Sequence, residues 1–207
     1  MIVAFSANSA DAAAPVSDEW IELPVPQVSV QERTLEVPVV VPRTAAPAPV
    51  APPLPPDPYA GVTMGHLLPI GVEGYQQRFE PSPEQLENAR RIVEIVKQRR
   101  MPAYAAVIAL ATALQESTLR NITDPVDHDS LGLFQQRPSA GWGMPEQLTD
   151  PHYATTIFLD VLERKAPDYM IVPLWQAAQA TQSSAFPTLY AQWQEQAAHM
   201  VLEILTR

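Results

Sequence analysis

Residues Pro102 to Ser117 read PAYAAVIALATALQES, an apolar stretch in which Glu116 is the only charged residue. Proline is well suited to the first position of a helix, since its missing amide proton has no helical partner there. A helix that is apolar on all sides is buried inside a protein. We therefore expect a central core helix that ends near Glu116, at the edge of the apolar interior.

Helix signals recur on both sides of this stretch. Serine or aspartate followed by proline marks a helix start, because the side-chain oxygen accepts from free backbone amides. Such starts, or apolar residues at three- and four-residue spacing, predict further helices over 82–100, 150–164, 174–183 and 187–205. The segment 131–135, Leu-Gly-Leu-Phe-Gln, is a short strand candidate. The predicted fold class is mainly α with a minimal β element.

The amino-terminal part differs in composition from the rest of the chain. Residues 1–60 contain 12 of the 23 prolines, and such sequences favour extended polyproline II structure. We predict an extended or disordered Pro-rich tail over 1–60, an irregular linker over 61–80 and one globular domain over 81–207. Within the tail, residues 19–23 and 37–41 are either docking peptides for a protein partner or parts of an unstructured arm.

Charge and hydropathy exclude several classes of protein. The net charge is -10, which argues against a nucleic-acid partner because phosphate binding depends on clustered lysine and arginine. No run approaches the ~18 apolar residues that a membrane span needs. There is no cysteine, so neither disulfides nor thiolate metal sites are expected. The first 14 residues lack the basic start and long apolar core of a complete signal peptide.

Glu116 is the main candidate for chemistry. Burial disfavours a charged carboxylate and raises the pKa of a glutamate from about 4.3 toward about 6, the range of a general acid. The alternative is a structural glutamate at a helix end, paired with Arg120 one turn later. Position along the chain does not separate these two interpretations.

Two segments resemble motifs of a known enzyme family. Residues 113–117, Ala-Leu-Gln-Glu-Ser, and residues 131–136, Leu-Gly-Leu-Phe-Gln-Gln, resemble the Glu-Ser and Gly-Leu-Met-Gln motifs of soluble lytic transglycosylases and goose-type lysozymes. With residues 137–143, Arg-Pro-Ser-Ala-Gly-Trp-Gly, the pattern is more similar still to lysozyme-like domains of secreted actinobacterial wall proteins. The resemblance covers roughly Pro83 to Trp193. It implies a lysozyme-like α+β domain that cleaves the glycan strands of peptidoglycan.

The resemblance implies that Glu116 is the catalytic acid, that Ser117 supports it and that Gln135 lies in the saccharide cleft. A glutamine amide can donate to and accept from sugar hydroxyls or an N-acetyl group. Trp142 or Tyr153 can present an aromatic face to a sugar ring. The candidate substrate-binding residues are Ser117, Asp129, Gly132, Phe134, Gln135 and Trp142.

The sequence departs from the family pattern at two places. Phe134 stands where transglycosylases usually have methionine, and the third family motif, Ala-Tyr-Asn-Ala-Gly, is replaced by residues 177–183, Ala-Ala-Gln-Ala-Thr-Gln-Ser. Because that motif helps to hold the sugar, the product is left open between a 1,6-anhydro sugar and an ordinary reducing end.

A second carboxylate, if one is used, would come from the loop that contains Asp124, Asp127 and Asp129. Asp129 is the favoured candidate because it lies nearest to the 131–136 segment, although turn and loop hydrogen bonds are the better explanation for these aspartates. The resembling families generally need no fixed nucleophile, since the N-acetyl group of the substrate can attack the anomeric carbon. His128 lacks a second histidine at ligand spacing, so we predict no metal and no cofactor.

Two hypotheses about function, one enzymatic and one non-enzymatic, fit these observations. The first is a muramidase or lytic transglycosylase, located outside the cytoplasm in a cell wall or a virion. The second is a non-catalytic peptidoglycan-binding or structural component of a virion or cell-surface assembly, since a fold alone does not determine function.

Overall fold

A computed structural model of the chain describes residues 57–125 and 127–207. The predictions about residues 1–56, which include the docking peptides and most of the Pro-rich tail, lie outside this described part. Helices account for 57% of the structure and no sheet is present among the described residues. The prediction of a mainly α fold is therefore confirmed.

Seven α-helices and two 3-10 helices follow one another through the described residues. In chain order they are α1 (Met64–Leu67), α2 (Pro83–Gln98), α3 (Ala103–Ser117), a 3-10 helix (Pro138–Ala140), α4 (Pro145–Leu148), α5 (Pro151–Lys165), α6 (Leu174–Gln182), a second 3-10 helix (Pro187–Trp193) and α7 (Gln194–Thr206). None of these helices has the length and apolar character needed to cross a membrane.

Helix α3 forms the centre of the core. Its residues from Tyr104 to Leu114 are all buried, and it packs against α1, α2, α5, α6, the second 3-10 helix and α7. The fully apolar surface of this helix is thus covered on every side, as its sequence predicts.

The start of α2 is tied to the end of α3. The Ser82 hydroxyl accepts from the Gln85 amide at 3.3 Å, while the Gln85 side chain accepts from the Ser82 amide at 2.7 Å. This is the reciprocal capping box that the sequence indicates. The Gln85 Nε2 also donates to the Thr118 carbonyl at 2.7 Å, which fixes the chain directly after α3.

Residues 57–80, from the end of the expected tail through the expected linker, pack on the helical domain. Tyr59 and Leu67 are buried in its core, and the Tyr59 hydroxyl donates to the carbonyls of Val96 and Met101 at 3.1 and 2.7 Å. The four-residue helix α1 is too short to show a period in the sequence. Residues 57–80 are thus part of the folded unit.

The segment from Gly71 to Phe79 holds the second 3-10 helix in place. The Gln76 side chain donates to the Ala191 carbonyl at 3.0 Å and accepts from the Glu195 amide at 3.0 Å. Phe79 packs edge-on against Trp193, with ring centroids 6.0 Å apart. These contacts anchor the carboxyl-terminal end of the 3-10 helix and the start of α7.

The strand predicted at residues 131–135 does not form. The segment instead makes two isolated antiparallel bridges, Ile122 with Gly132 and Leu131 with Gln136. Gly132 at φ 72° and Gln135 at φ 46° both have left-handed backbone conformations, which an extended strand does not contain. The result is a tight turn that places its side chains in different directions.

The helix predicted over 187–205 divides into two parts. Residues Pro187–Trp193 wind as a 3-10 helix, and α7 starts at Gln194. Apolar residues at three-residue spacing suit both helix types, so the sequence pattern does not distinguish them.

Candidate active site

Glu116 lies in the last turn of α3, where the core ends. After Ser117 the chain turns sharply, with left-handed backbone conformations at Thr118 (φ 53°) and Leu119 (φ 59°). Because the preceding residues of the helix are apolar and buried, the Glu116 carboxyl group sits at the edge of the interior and is half-buried.

The carboxyl group of Glu116 is held by uncharged hydrogen-bond donors. The Tyr190 hydroxyl donates to its Oε1 at 2.6 Å. Burial raises the pKa of Glu116 above its ordinary value, and hydrogen bonding by Tyr190 and Gln182 opposes that rise without cancelling it. Glu116 therefore keeps its proton to higher pH than an exposed glutamate does, which suits a general acid.

The ion-pair interpretation of Glu116 finds no support in this geometry. The exposed Arg120 guanidinium donates to the Ser117 carbonyl at 3.4 Å, and within the described part of the chain no lysine, arginine or histidine forms a salt bridge with Glu116.

Tyr190 is the functional residue that the sequence did not reveal. It is fully buried, and burial together with the nearby Glu116 charge raises the pKa of its phenol far above the ordinary value. Tyr190 thus remains a protonated donor at every working pH. The sequence around Tyr190 predicts only an apolar helix face. Its contact with Glu116 joins residues that are 74 positions apart, and such a contact leaves no local signal in the sequence.

Gln182 is the second such residue, at the end of α6 in the stretch that replaces the third family motif. Its Nε2 donates to the Phe134 carbonyl at 2.6 Å, and its side chain lies close enough to Glu116 to lower the pKa of that carboxyl group. It therefore lies between the 131–136 turn and the carboxyl group. The motif comparison identified its segment, but no pattern singled out this amide.

Ser117 is buried and positions the site from within the protein. Its hydroxyl lies 2.8 Å from the Leu133 carbonyl and 3.1 Å from the Ala113 carbonyl. It thereby joins the end of α3 to the 131–136 turn. This placement fits a supporting residue better than a group in contact with the sugar.

Gly132 is required by the backbone at this turn. A Cβ atom on it would lie 2.0 Å from the Leu148 carbonyl oxygen, and its amide donates to the Ile122 carbonyl at 2.8 Å. Its backbone approaches α4, and the residue is buried. The glycine therefore serves close packing within the protein.

Phe134 belongs to the core. It is fully buried and stacks on Phe158, with ring centroids 4.6 Å apart and an interplanar angle of 13°. Its side chain is therefore an internal anchor of the turn, while its carbonyl accepts from Gln182. Gln135, by contrast, is half-buried, and its Nε2 donates to the Gly132 carbonyl at 3.0 Å.

Asp129 clamps the loop that follows the turn. It accepts from Arg137 Nε at 2.7 Å, from the Ser139 amide at 2.7 Å and from the Ser139 hydroxyl at 2.9 Å. The Arg137 hydrogen bond, followed by those of Ser139, lowers the pKa of Asp129 well below its ordinary value. Its oxygens are occupied, so it is poorly placed to act as a nucleophile.

The neighbouring aspartates offer no metal centre. Asp124 and Asp127 are exposed, and Asp127 contacts His128 at 2.7 Å. Among the residues that the structure describes, no cluster of three or more histidine, cysteine or acidic side chains has the arrangement of a metal site.

Trp142 is half-buried and lines a cavity of about 410 Å³ that also reaches Gln182. Its loop rests on α5, where the Tyr153 hydroxyl donates to the Trp142 carbonyl at 3.3 Å. Gly143 approaches the Tyr153 side chain so closely that a Cβ atom on it would lie 2.8 Å from the hydroxyl oxygen and 2.9 Å from Cε1. Tyr153 therefore supports the loop, and Trp142 shares a cavity with Gln182.

In comparisons with known proteins, no family model and no curated protein matches the chain. The site is therefore interpreted from its own geometry together with the resemblance in motifs.

Proposed function

We propose that the chain cleaves the β-1,4 glycan strands of peptidoglycan, with Glu116 as the general acid. The observation that carries this proposal is the half-buried Glu116 carboxyl group, which has a raised pKa and accepts a hydrogen bond from the buried Tyr190. The motif resemblance supplies the substrate class. A lysozyme-like domain over 81–207, with residues 57–80 as part of the same folded unit and a location outside the cytoplasm in a cell wall or a virion, belongs to the same proposal.

In the proposed reaction, protonated Glu116 donates its proton to the glycosidic oxygen between N-acetylmuramic acid and N-acetylglucosamine. A glycosidic oxygen leaves poorly unless it is protonated, and a positioned acid contributes on the order of 100- to 10,000-fold. As the carboxyl group becomes a carboxylate, the Tyr190 hydroxyl stabilises the new charge because charge-assisted hydrogen bonds are the stronger ones.

The anomeric carbon is attacked by the N-acetyl oxygen of the substrate itself. This choice is supported by Asp129, whose oxygens already accept from Arg137 and Ser139. The resulting oxazolinium ion is opened either by water, which leaves a reducing end, or by the C6 hydroxyl of the same sugar, which leaves a 1,6-anhydro ring. In either case the attacking group, water or the C6 hydroxyl, gives its proton to the Glu116 carboxylate, which restores the acid.

The test is digestion of purified peptidoglycan with the full chain, followed by mass spectrometry of the released sugars. We expect soluble muropeptides from the wild-type protein and at least a 100-fold lower rate from Glu116→Gln. Glu146→Gln, which removes an exposed carboxylate on α4, is the matched control and should cleave normally.

The products also separate the two reactions, because an anhydro product is lighter than a hydrolysed one by one water molecule. Full activity in Glu116→Gln would refute the assignment of the acid. Binding to peptidoglycan without any released sugar from the wild-type chain would favour the non-catalytic binding component instead.

A further inference from the structure

The cavity beside Trp142 differs in charge from two larger cavities on the α2 side of the domain. Two cavities of about 580 Å³ on the α2 side are lined by acidic as well as basic residues, among them Glu80 and Glu203 in one and Glu87 and Glu94 in the other. The cavity of about 410 Å³ has no acidic residue in its lining. Its charged lining consists of Arg164 and Lys165.

These two cations are free to bind an anion. Both are exposed residues in the last turn of α5, and within the described residues neither forms a salt bridge. The nearby acids of α5, Asp160 and Glu163, pair instead with Arg99 at 2.7 Å each. Two uncompensated cations at one cavity are notable in a chain of net charge -10.

One side chain of the cavity lining also lies near the proposed acid. Gln182 lines the cavity, and its amide is close enough to Glu116 to lower the pKa of that carboxyl group. Trp142 also lines the cavity, whose size falls within the usual range for small-ligand sites, about 300–1,000 Å³. Gln182 is thus the residue through which a ligand in this cavity and a sugar at Glu116 would be neighbours.

We propose that this cavity binds the carboxylates attached to the muramic acid residue of the glycan strand. The inference rests on the proposed function, since it names the part of that substrate which the cavity recognises. Muramic acid bears a lactyl carboxylate or, where that group is amide-linked, the carboxylates of a stem peptide. Arginine and lysine suit such groups as charged hydrogen-bond donors, and Trp142 offers an apolar face for the aliphatic part.

The experiment compares the full-length wild-type chain with the double variant Arg164→Gln/Lys165→Gln on three forms of soluble glycan strand. The first form keeps its stem peptides, the second has been stripped of them by an amidase and retains the lactyl carboxylate, and the third has all carboxylates converted to neutral amides. KM and kcat are measured separately for each form.

We expect the KM of the double variant to be three- to tenfold higher than that of the wild type, with little change in kcat. A rise of this size is on the order of what exposed charge contacts contribute. If stem-peptide carboxylates bind, the rise is confined to the first form. If the lactyl carboxylate binds, the rise occurs on the second form, in which that group is free, and a rise on both forms means that either carboxylate is accepted. On the third form, which has no carboxylates, the wild type and the double variant should have equal KM values.

Arg164→Lys/Lys165→Arg should restore binding because it keeps both charges. Arg90→Gln/Arg91→Gln, which removes two charges from α2, should leave KM unchanged on all forms. An equal effect of the cavity variant on all three forms, or no effect on any, would overturn the proposal. So would a loss of the same size in the α2 control.

A binding measurement distinguishes a failure of the proposed cleavage from a failure of the cavity proposal. If the wild-type chain releases no sugar from any form, cleavage is refuted, while cosedimentation with intact wall fragments still decides the role of the cavity. In that assay the double variant should bind several-fold more weakly than the wild type, and equal binding would refute the cavity proposal on its own.

Discussion

The carboxyl group of Glu116 shows how one residue acquires its properties from its place on a helix. The apolar residues before it bury the helix, so the first charged group, near its end, lies at the edge of the core. Burial raises its pKa, and the buried Tyr190 supplies a donor that a solvent-exposed glutamate would lack. A carboxyl group of this kind keeps its proton in the free protein to a higher pH and so has one to donate when a substrate binds.

The raised pKa makes Glu116 a cost to stability at neutral pH. The folded state holds this proton more tightly than the unfolded chain does, so stability falls as pH rises from about 4.3, the unfolded value, through the higher folded pKa. Glu116→Gln should therefore melt at a higher temperature than the wild type at pH 7 and at a similar temperature below pH 4. Melting curves across this range test it, and Glu146→Gln should show no such pH-dependent gain.

A comparison of two glycines distinguishes the energetic cost of a left-handed backbone from the cost of a steric collision. Gly132 and Gly141 both have positive φ angles, but only a Cβ atom on Gly132 would collide with backbone, at the Leu148 carbonyl oxygen. Gly141→Ala should cost about 1 kcal/mol for the left-handed backbone alone. Gly132→Ala should cost at least about 3 kcal/mol, because a collision is added to the strain. Denaturant unfolding measures both, and equal losses would show that the approach to α4 is not tight.

At the scale of elements, the site is made where three of them meet. Helix α3 brings Glu116, α6 brings Gln182, and the 3-10 helix Pro187–Trp193 brings Tyr190. The 3-10 helix is held on both sides, since Trp193 Nε1 donates to Gln115 on α3 at 3.0 Å and Ala191 accepts from Gln76. The position of the Tyr190 hydroxyl therefore depends on packing between elements.

Tyr190→Phe tests this arrangement. The hydroxyl donates to the charged form of Glu116 and so lowers its pKa, which means that its removal should raise the pKa further. Since the acid must be protonated, the alkaline limb of the pH profile of kcat/KM should move to higher pH. The rate itself should fall about 10- to 100-fold, because hydrogen bonds to charged groups contribute about 1.5–3 kcal/mol. Tyr75→Phe, at an exposed tyrosine, is the control and should change neither. An unshifted limb would contradict the role of Tyr190.

At the scale of the molecule, the folded unit begins earlier than the helix signals indicate. Tyr59 and Leu67 are buried in the core and Phe79 packs on Trp193. The same segment anchors the 3-10 helix that carries Tyr190. Stability and the site therefore both depend on residues 57–80.

A chain that starts at Pro81 should be much less stable than one that starts at Asp57. Each fully buried large side chain contributes about 1.5–3 kcal/mol, so the loss of Tyr59 and Leu67 alone should lower the free energy of unfolding by at least about 3 kcal/mol. Thermal melting of the two truncated chains, with the full chain as reference, tests this. Equal melting temperatures would mean that 57–80 lie on the domain without stabilising it.

The sequence by itself determined the helical elements and the place of Glu116 among them. The capping box at Ser82, the proline before α3 and the apolar run up to Glu116 act within a few residues, and such local signals are legible in the chain. They predicted a mainly α fold and a carboxyl group at the edge of the core.

The tertiary structure alone decided what surrounds that carboxyl group. Periodicity tells which side of an element is buried, but it does not tell which partner covers it. Hence Phe134 and Ser117 turn inward to hold the site, Asp129 is occupied by its loop, and Tyr190 reaches Glu116 from 74 residues away. The physical reason is that these contacts depend on how the elements pack, and packing is set by the whole core together.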